Sequence, residues 1–496
     1  MSDKNREIMM TPNRQQSRVG YRPTWAEIDL DNLSYNFDQI KKKLSPGIKV
    51  MACVKAEAYG HGLIPVARQL VSCGVDFLAV ASIDEAISLR KAGIESRILV
   101  LGMTLEQNVG PLFEYSITPT VCSLSLAKEL DRQARSRDRI IDIHLKIDTG
   151  MGRIGVTHDK AFAFVKKIFG FSNIRVEGIF THLACADTDD KLTHRQIHVF
   201  DSLIKRLKKR SFMIPLVHAA NSMGVVSYKS SHFNMVRPGL ILYGLRPAEG
   251  LPIDLKPVMS LKTRVIYVKN VSRGCGVSYG HTYVTRSATR IATLPIGYGD
   301  GYPRNLSNIA PVVIGGKKFT IAGRVCMDQI MVDVGLARVR VGDEVVLIGS
   351  QMSQSVSAES LAAFSRTIPY EIVCGIGSRV PRIYVGKSVS RRDAGSRARA
   401  GEKRLAPRRS RSIPVRFLDS PSLASTVGIT EDISAAGLKV STPDRILPYR
   451  RIALSLESGN NKPVYVSGTP VWSRPASNGR YVSGIKFSAP LAKIVE

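Results

Sequence analysis

The stretch Lys49-Val-Met-Ala-Cys-Val54 runs directly into Lys55-Ala-Glu-Ala-Tyr59-Gly60-His61-Gly62, a short apolar strand that ends on a lysine and then a turn. Similar runs recur downstream: Phe77-Leu-Ala-Val80, Arg97-Ile-Leu-Val-Leu101, Ile140 to Ile147, Val176-Glu-Gly-Ile-Phe180 and Met235-Val236. Amphipathic intervals such as Ser82 to Ala92 and Thr193 to Lys209 separate them. Strands that alternate with helices pair in parallel, and about eight such units in roughly 220 residues predict a closed (β/α)8 barrel of the TIM type, an α/β fold, over residues 21–255. Lys55 then lies at the C-terminal mouth of the first strand, where barrels of this kind carry their sites. A lysine half-sunk in an apolar mouth loses hydration, which favours the neutral amine and its use as a nucleophile toward carbonyl carbon.

From Pro257 onward the long helices stop and short strands follow, Ser260 to Val271, Arg290 to Leu294, Ala310 to Ile314, Lys318 to Ile321, Met331 to Val334 and Glu344 to Ile348. They predict an antiparallel β domain over 256–384. The composition then turns to Ser, Arg and Ala: residues 387–411 hold ten Lys and Arg against Asp393 and Glu402, a basic linker placed at 385–403. A strand-rich segment opens with Pro414 to Phe417 and runs to Phe487, within a third domain at 404–496 that, by the resemblance given below, is a small β-barrel, and residues 1–20 are expected to be disordered.

The 496 residues are 44% hydrophobic and 23% charged, an ordinary globular composition. No apolar run reaches the roughly 18 residues of a membrane span, and no apolar segment follows the first basic residues as a secretory signal requires. The seven cysteines contain no CxxC pair, and reduced thiols fit a cytoplasmic protein. His194 and His198 share a helix face without a third ligand, so no metal is expected. The net charge of +30 attracts anions and is densest after residue 385, with 20 Lys and Arg against 8 Asp and Glu. That tail has few aromatics to stack on bases, which disfavours nucleic acid as the partner.

The Lys55 stretch resembles the pyridoxal-phosphate signature of alanine racemases. The same family's pattern recurs in order through His144-Leu-Lys146-Ile-Asp148-Thr-Gly-Met-Gly-Arg153, Thr181-His182 to Asp187, His218-Ala-Ala-Asn221-Ser222, Arg237-Pro-Gly239 to Tyr243, Val277-Ser-Tyr279-Gly280, Ile296-Gly-Tyr298-Gly-Asp300 and Gly323-Arg324-Val-Cys-Met327-Asp328. The resemblance covers residues 20 to 384 and implies interconversion of L-alanine and D-alanine, which supplies peptidoglycan synthesis, with pyridoxal 5'-phosphate as cofactor. It implies that Lys55 holds the cofactor aldehyde as a Schiff base, that Tyr59, Ser222, Gly239 and Tyr370 hold its phosphate, that Asn221 also binds the cofactor, and that Arg237 faces its ring nitrogen. Lys55 and Tyr279 become the two bases on opposite faces of the substrate α-carbon, with His182 and Arg237 in the supporting network. Arg153 takes the substrate carboxylate and Lys146, carbamylated in many relatives, orients it. Met327 reaches the neighbouring subunit's pocket in a homodimer with composite sites, and Tyr298, Arg324 and Asp328 line an access corridor. One position departs from the commonest pattern: Glu57 stands where Asn is usual, adding a carboxylate near the cofactor loop.

In the tail, Arg404 and Arg408 form RxxxR, and Asp432-Ile-Ser434-Ala-Ala-Gly437 forms DxSxxG. This pair resembles a PilZ domain and implies a cyclic di-GMP receptor, with arginines on phosphate and guanine and the second motif on a guanine edge. Two alternatives stay open: a racemase of another amino acid such as serine, and an inactive cyclic di-GMP scaffold. A related decarboxylase is disfavoured by Arg237, because that reaction benefits from a protonated pyridine.

Overall fold

Eight parallel strands close on themselves: Lys49–Cys53, Phe77–Val80, Arg97–Met103, Thr118–Val121, Ile141–Asp148, Ile174–Phe180, Leu216–His218 and Met235–Val236, the last pairing back onto the first. Strands buried on both sides need near-continuous apolar sequence, and Phe77–Val80 is buried at every position. Helices cover the outside. Leu124–Arg135 buries Leu126, Ala127, Leu130 and Ala134 on one stripe, and Asp190–Lys209 does the same with Gln196, Ile197, Phe200, Leu203 and Leu207. Side chains start these helices: Ser82 accepts from the Glu85 N–H, Ser123 from Leu126 and Asp189 from Leu192, each worth about 1 kcal/mol.

The computed structural model describes residues 21–386, 414–417, 427–434, 437–443, 452–456, 464–476 and 480–487, and the chain divides into compact units at Ser390 and Arg391. The expected disordered segment 1–20, residues 387–403 of the linker, and Arg404 and Arg408 lie outside the described residues.

The β domain pairs Met259–Arg264 with Glu344–Gln351, and the latter with Pro311–Ile314, while Tyr267–Val271, Thr289–Leu294 and Ile330–Gly335 form a second sheet. One element differs from the sequence reading, which counted the chain from residue 21 with the barrel. Thr24–Asp29 instead joins the β-domain sheet, antiparallel to Met259–Arg264 and parallel to Arg382–Val385. Its short run with Trp25, Ala26 and Ile28 buried reads as a strand but carries no address for a partner over 200 residues away. Its last residue, Asp29, then caps the helix Leu30–Lys42 by accepting from the Asp31 and Asn32 N–H groups.

The second unit is a closed antiparallel barrel in the order Pro414–Phe417, Val427–Ser434, Gly437–Thr442, Tyr481–Phe487, Val464–Pro475 and Ile452–Leu456. Val415, Leu438, Val440, Leu454, Leu456, Val482 and Ile485 are buried in it. Among the described residues no helix is long and apolar enough to cross a membrane.

Candidate active site

Lys55 emerges half-buried from the first barrel strand, and the next four residues, Ala56, Glu57, Ala58 and Tyr59, all have φ between 52° and 56°. A left-handed turn without glycine costs roughly 1–2 kcal/mol per residue. Several bonds offset it. Glu85 accepts from the N–H groups of Ala56 (2.6 Å) and Ala81 (2.7 Å), Gly62 N–H donates to Glu57 O (2.7 Å), and His61 Nδ1 donates to Ala58 O (3.0 Å) and Tyr59 O (2.8 Å). From the β domain, Arg382 Nε donates to Gly60 O at 3.0 Å. The turn folds Tyr59 into the mouth, 7% exposed, against the rings of Tyr243 (centroids 4.8 Å apart) and Tyr370 (5.8 Å). The Glu57 carboxylate accepts from the Leu63 N–H at 3.2 Å and so serves the helix Leu63–Ser72, whose own cap residue, Gly62, has no side chain.

Opposite this turn, Ser222 Oγ accepts from the Gly239 N–H at 3.1 Å, and Asn221 Oδ1 from the Gly224 N–H at 3.0 Å. A Cβ on Gly239 would lie 2.5 Å from the Tyr59 hydroxyl, so only glycine permits this approach. Small residues, backbone donors and the hydroxyls of Tyr59 and Ser222 therefore meet in one cradle, a donor set suited to phosphate. Burial pushes Tyr59 well above its ordinary pKa and Tyr370 up to about 12, which keeps both as hydrogen-bond donors.

Arg237 is buried. Its Nη1 donates to His218 Nδ1 (2.8 Å), and its Nη2 donates to Thr181 O (2.7 Å) and Ala219 O (3.0 Å), with His182 Nδ1 at 3.4 Å. None of these acceptors is a carboxylate, and none engages its Nε–H. Burial lowers the guanidinium to about 10, so it remains a cation at neutral pH. Burial likewise drives His182 well below its ordinary value, and the charges of Arg237, Lys146, Arg153 and Lys55 push it further. Four of the predicted residues thus act electrostatically on this one imidazole. Lys146 is itself buried, its amine driven well down by burial and then by Arg237 and Arg153. Asp148 closes the following loop by accepting from Gly150 (2.9 Å), Met151 (2.9 Å) and Gly152 (3.0 Å), which presents Arg153 on the exposed side.

The remaining predicted residues form a second group in the β domain. Tyr279 sits in the turn joining Gly276–Val277 to Tyr283–Val284, after Ser278, whose φ of 66° is held by an Oγ bond to Arg324 O at 2.7 Å. With Gly280, Met327 and Asp328 it lines a recess of about 570 Å³. Tyr298 N–H donates to Cys326 O (3.0 Å), Gly299 N–H to Met327 O (2.9 Å), and Arg379 Nη2 to Asp328 Oδ1 (2.6 Å). Tyr279 is 70% exposed and Met327 52%. Among the described residues no hydrogen bond, ion pair or ring contact links Tyr279 to the barrel-mouth group.

In the second unit, Asp432 and Ser434 lie on the strand Val427–Ser434 and Gly437 opens the next, with Ser434 opposite Gly437 and an irregularity between Thr430 and Asp432. His194 and His198 are exposed on their helix, and among the described residues no group of three His, Cys, Asp or Glu gathers that could hold a metal. Three residues outside the predicted set bear on the mouth. Glu85 lies in Ser82-Ile-Asp-Glu85, the signature of a helix capping box, yet its carboxylate reaches the Lys55 turn. Buried Gln196 donates to Thr149 Oγ1 (3.2 Å) and His182 O (3.1 Å) while accepting from Ala184 N–H (2.9 Å), and Arg382 braces the turn from the β domain.

The family models for the alanine racemase N-terminal domain, the alanine racemase C-terminal domain and the PilZ domain match residues 28–247, 258–384 and 402–494. An alanine racemase of Halothermothrix orenii is 51% identical over 370 residues, 74% of this chain and 98% of that protein. Alanine racemase 2 of Caldanaerobacter subterraneus subsp. tengcongensis is 45% identical over 369 residues, 73% of this chain and 95% of its own length. Among solved structures, an alanine racemase of Clostridium difficile 630 superposes with a TM-score of 0.71 at 39% identity, covering 74% of this chain and 97% of that one. That of Bacillus anthracis, solved with bound L-Ala-P, gives 0.70 at 37%, covering 74% and 96%.

Proposed function

The chain belongs to the alanine racemase family, a family of pyridoxal-phosphate-dependent isomerases, and from that premise we propose that it racemises alanine by a two-base mechanism in a homodimer, with a fused cyclic di-GMP receptor. The observation that carries the catalytic reading is Arg237: a buried cation bonded only to imidazole and carbonyl acceptors, with its Nε–H unengaged by them, at the mouth that also holds Lys55.

Bound pyridoxal phosphate supplies an electron-withdrawing ring that acidifies the α C–H of an attached amino acid. Lys55 would hold it covalently through Nζ until the substrate amine takes that place and frees the lysine amine, and Tyr59, Ser222, Gly239 and Tyr370, with Asn221 beside them, would receive its phosphate in the cradle described above. Arg237 would donate to the ring nitrogen while keeping its own proton, a restraint that would favour return of the proton to the α-carbon over transamination. Lys55 Nζ takes or returns that proton on one face and the Tyr279 hydroxyl on the other. Arg153 takes the substrate carboxylate, and Lys146 as its carbamate orients that guanidinium. Tyr298, Arg324 and Asp328 line the approach.

Exposed Tyr279 and Met327, with no bond among the described residues linking Tyr279 to the barrel mouth, support a head-to-tail dimer in which each recess completes the partner's barrel. Seven free cysteines support a reducing, cytoplasmic location, where the product would serve peptidoglycan synthesis. In the second unit, the register that sets Ser434 opposite Gly437 on adjacent strands supports ligand binding through Asp432, Ser434 and Gly437, together with Arg404 and Arg408.

The test is a chiral assay with a panel of L-amino acids, with and without cyclic di-GMP. Preferential formation of D-alanine is expected, and preferential turnover of serine or another amino acid would reject the substrate. Calorimetry on the full chain and its Arg408→Ala variant is expected to show saturable cyclic di-GMP binding lost in the variant. Absence of binding in the unaltered chain would reject the receptor.

A further inference from the structure

Behind Arg237 the barrel interior holds an unbroken chain of polar side chains. Arg237 Nη1 donates to His218 Nδ1 at 2.8 Å, His218 Nε2 lies 2.9 Å from His144 Nδ1, and His144 Nε2 lies 3.4 Å from Glu177 Oε2. The carboxylate's other oxygen accepts from Arg97 Nη1 at 2.9 Å. Both imidazoles are fully buried, Glu177 is nearly so, and Arg97 is exposed at the start of its strand. The chain thus runs from the catalytic mouth to the surface.

The rest of the core is shaped around it. Gly178 leaves room for the His144 ring, since a Cβ there would lie 2.5 Å from Nδ1 and Cε1. Phe180 stacks on His218 with centroids 4.8 Å apart and planes 4° from parallel, and Phe77 borders His144 at 6.0 Å.

The proton positions follow from the two ends. A guanidinium only donates, so His218 Nδ1 must accept and, in the neutral ring, Nε2 carries the hydrogen. His144 Nδ1 must then accept, which leaves its hydrogen on Nε2, pointing at a carboxylate that only accepts. The opposite assignment would set His218 Nδ1–H against the Arg237 donors. Burial lowers both imidazoles, with Arg237 and Lys146 opposing a proton on His218 and Glu177 and Asp142 favouring one on His144, so neutral rings prevail at pH 7.

We propose that Glu177 is a positioning residue for Arg237: through His144 and His218 it fixes one tautomer set and so maintains the acceptor that aims the guanidinium. Its catalytic consequence rests on the reading of Arg237 as partner of the cofactor's ring nitrogen, while the bond chain itself does not. An amide at position 177 both donates and accepts, so Glu177→Gln removes the charged end and one of the two constraints on the tautomers, at constant shape.

The experiment uses cofactor-loaded full-length enzyme with 15N-labelled histidine rings. In Glu177→Gln the ring nitrogens of His218 are expected to shift although residue 177 bonds His144 and Arg97 and not His218. kcat should fall by roughly threefold to tenfold with KM for alanine unchanged, below the 10–100-fold typical of a residue bonded directly to a ligand-holding group. Asp142→Asn, a nearby carboxylate paired with Arg175 and outside the chain, should leave both where they are. If Glu177→Gln does not fold, Arg97→Ala perturbs the same carboxylate from the exposed end and reads the same signals. Unmoved His218 nitrogens, or moved nitrogens with unchanged kcat, overturn the proposal. A separate variant isolates the underlying assignment: if Arg237→Lys leaves the cofactor's visible band and kcat unchanged while Glu177→Gln moves the His218 signals, the relay exists and the role given to Arg237 is wrong.

Discussion

Replacing Gly239 by alanine tests the cradle with a single methyl group. That carbon would sit 2.5 Å from the Tyr59 hydroxyl, 3.1 Å from Tyr59 Cζ and 3.5 Å from Cys53 Cβ. Relief requires the hydroxyl to retreat by nearly an ångström. Tyr59 has little room to do so, because its ring is packed against Tyr243 and Tyr370 and its backbone is fixed in the left-handed turn. Overpacking of this kind costs about 1–3 kcal/mol. If the phosphate is held where Tyr59 and the Gly239 backbone converge, most of that cost falls on the bound state, and cofactor affinity drops by roughly fivefold to 150-fold. The assay is cofactor titration of the resolved enzyme, followed by visible absorbance, beside thermal unfolding of the cofactor-free protein. Weakened binding with racemisation restored at saturating cofactor is expected. An unaltered dissociation constant would refute the cradle, and an equal loss in the cofactor-free melting temperature would assign the cost to folding.

Lys55→Ala and Tyr279→Phe should each abolish or cripple racemisation, the first also removing the visible band of the bound cofactor, yet mixing the two should restore activity because one site of the mixed dimer is intact; a verified mixed dimer without activity rejects composite sites. On acidification, His61, His144, His182, His218 and His232 all have pKa values lowered by burial, so the unfolded chain takes up protons that the native one refuses. Stability therefore falls as pH drops from about 6.5 toward 4; His61, lowered to about 4, alone accounts for on the order of 3 kcal/mol, and His61→Asn should flatten the slope of denaturation midpoint against pH. An unchanged slope would exclude His61 as a main contributor. At Lys146, a neutral amine can bond the carbon of CO2 and release a proton, leaving a carbamate anion beside Arg153 and Arg237; enzyme in 13C-bicarbonate should show a carbamate carbon that Lys146→Ala lacks, and its absence from the unaltered enzyme rejects the modification.

The barrel was legible because its strands are short apolar runs at regular intervals, and Lys55 could be placed at the mouth from the end of one such run. The motifs from His144 to Asp328 also kept their order, so the candidate residues could be named without coordinates. What escaped was set by distant partners. Thr24–Asp29 reads as a strand, but its neighbours begin at residues 259 and 382. Ala56 to Tyr59 contain no glycine to betray a left-handed turn, which is held by Glu85 and Arg382 from elsewhere in the chain. Glu57 looked like a carboxylate added near the cofactor, whereas the fold turns it to a helix start six residues on. His144 and Glu177 read as members of strands, and only closure of the barrel aligns them with His218.

The charges at the mouth explain why such supports are needed. Lys55, Lys146, Arg153 and Arg237 all act on His182, while the nearby carboxylate of Asp148 is already engaged by the Gly150, Met151 and Gly152 N–H groups. Repulsion in a poorly solvated mouth is relieved by losing protons or by taking anions. The imidazoles follow the first route, since burial and neighbouring cations keep them neutral, and the same burial and cations push the Lys146 amine downward. Arg237 cannot, because even lowered to about 10 it keeps its proton at pH 7. Its charge is met instead by carbonyls and by an imidazole chain that ends on Glu177, far enough away to leave the guanidinium free to donate into the mouth. A carboxylate in direct contact would compete for those donors, so distance is what lets the protein balance the charge without spending the hydrogen bonds that a ring nitrogen requires.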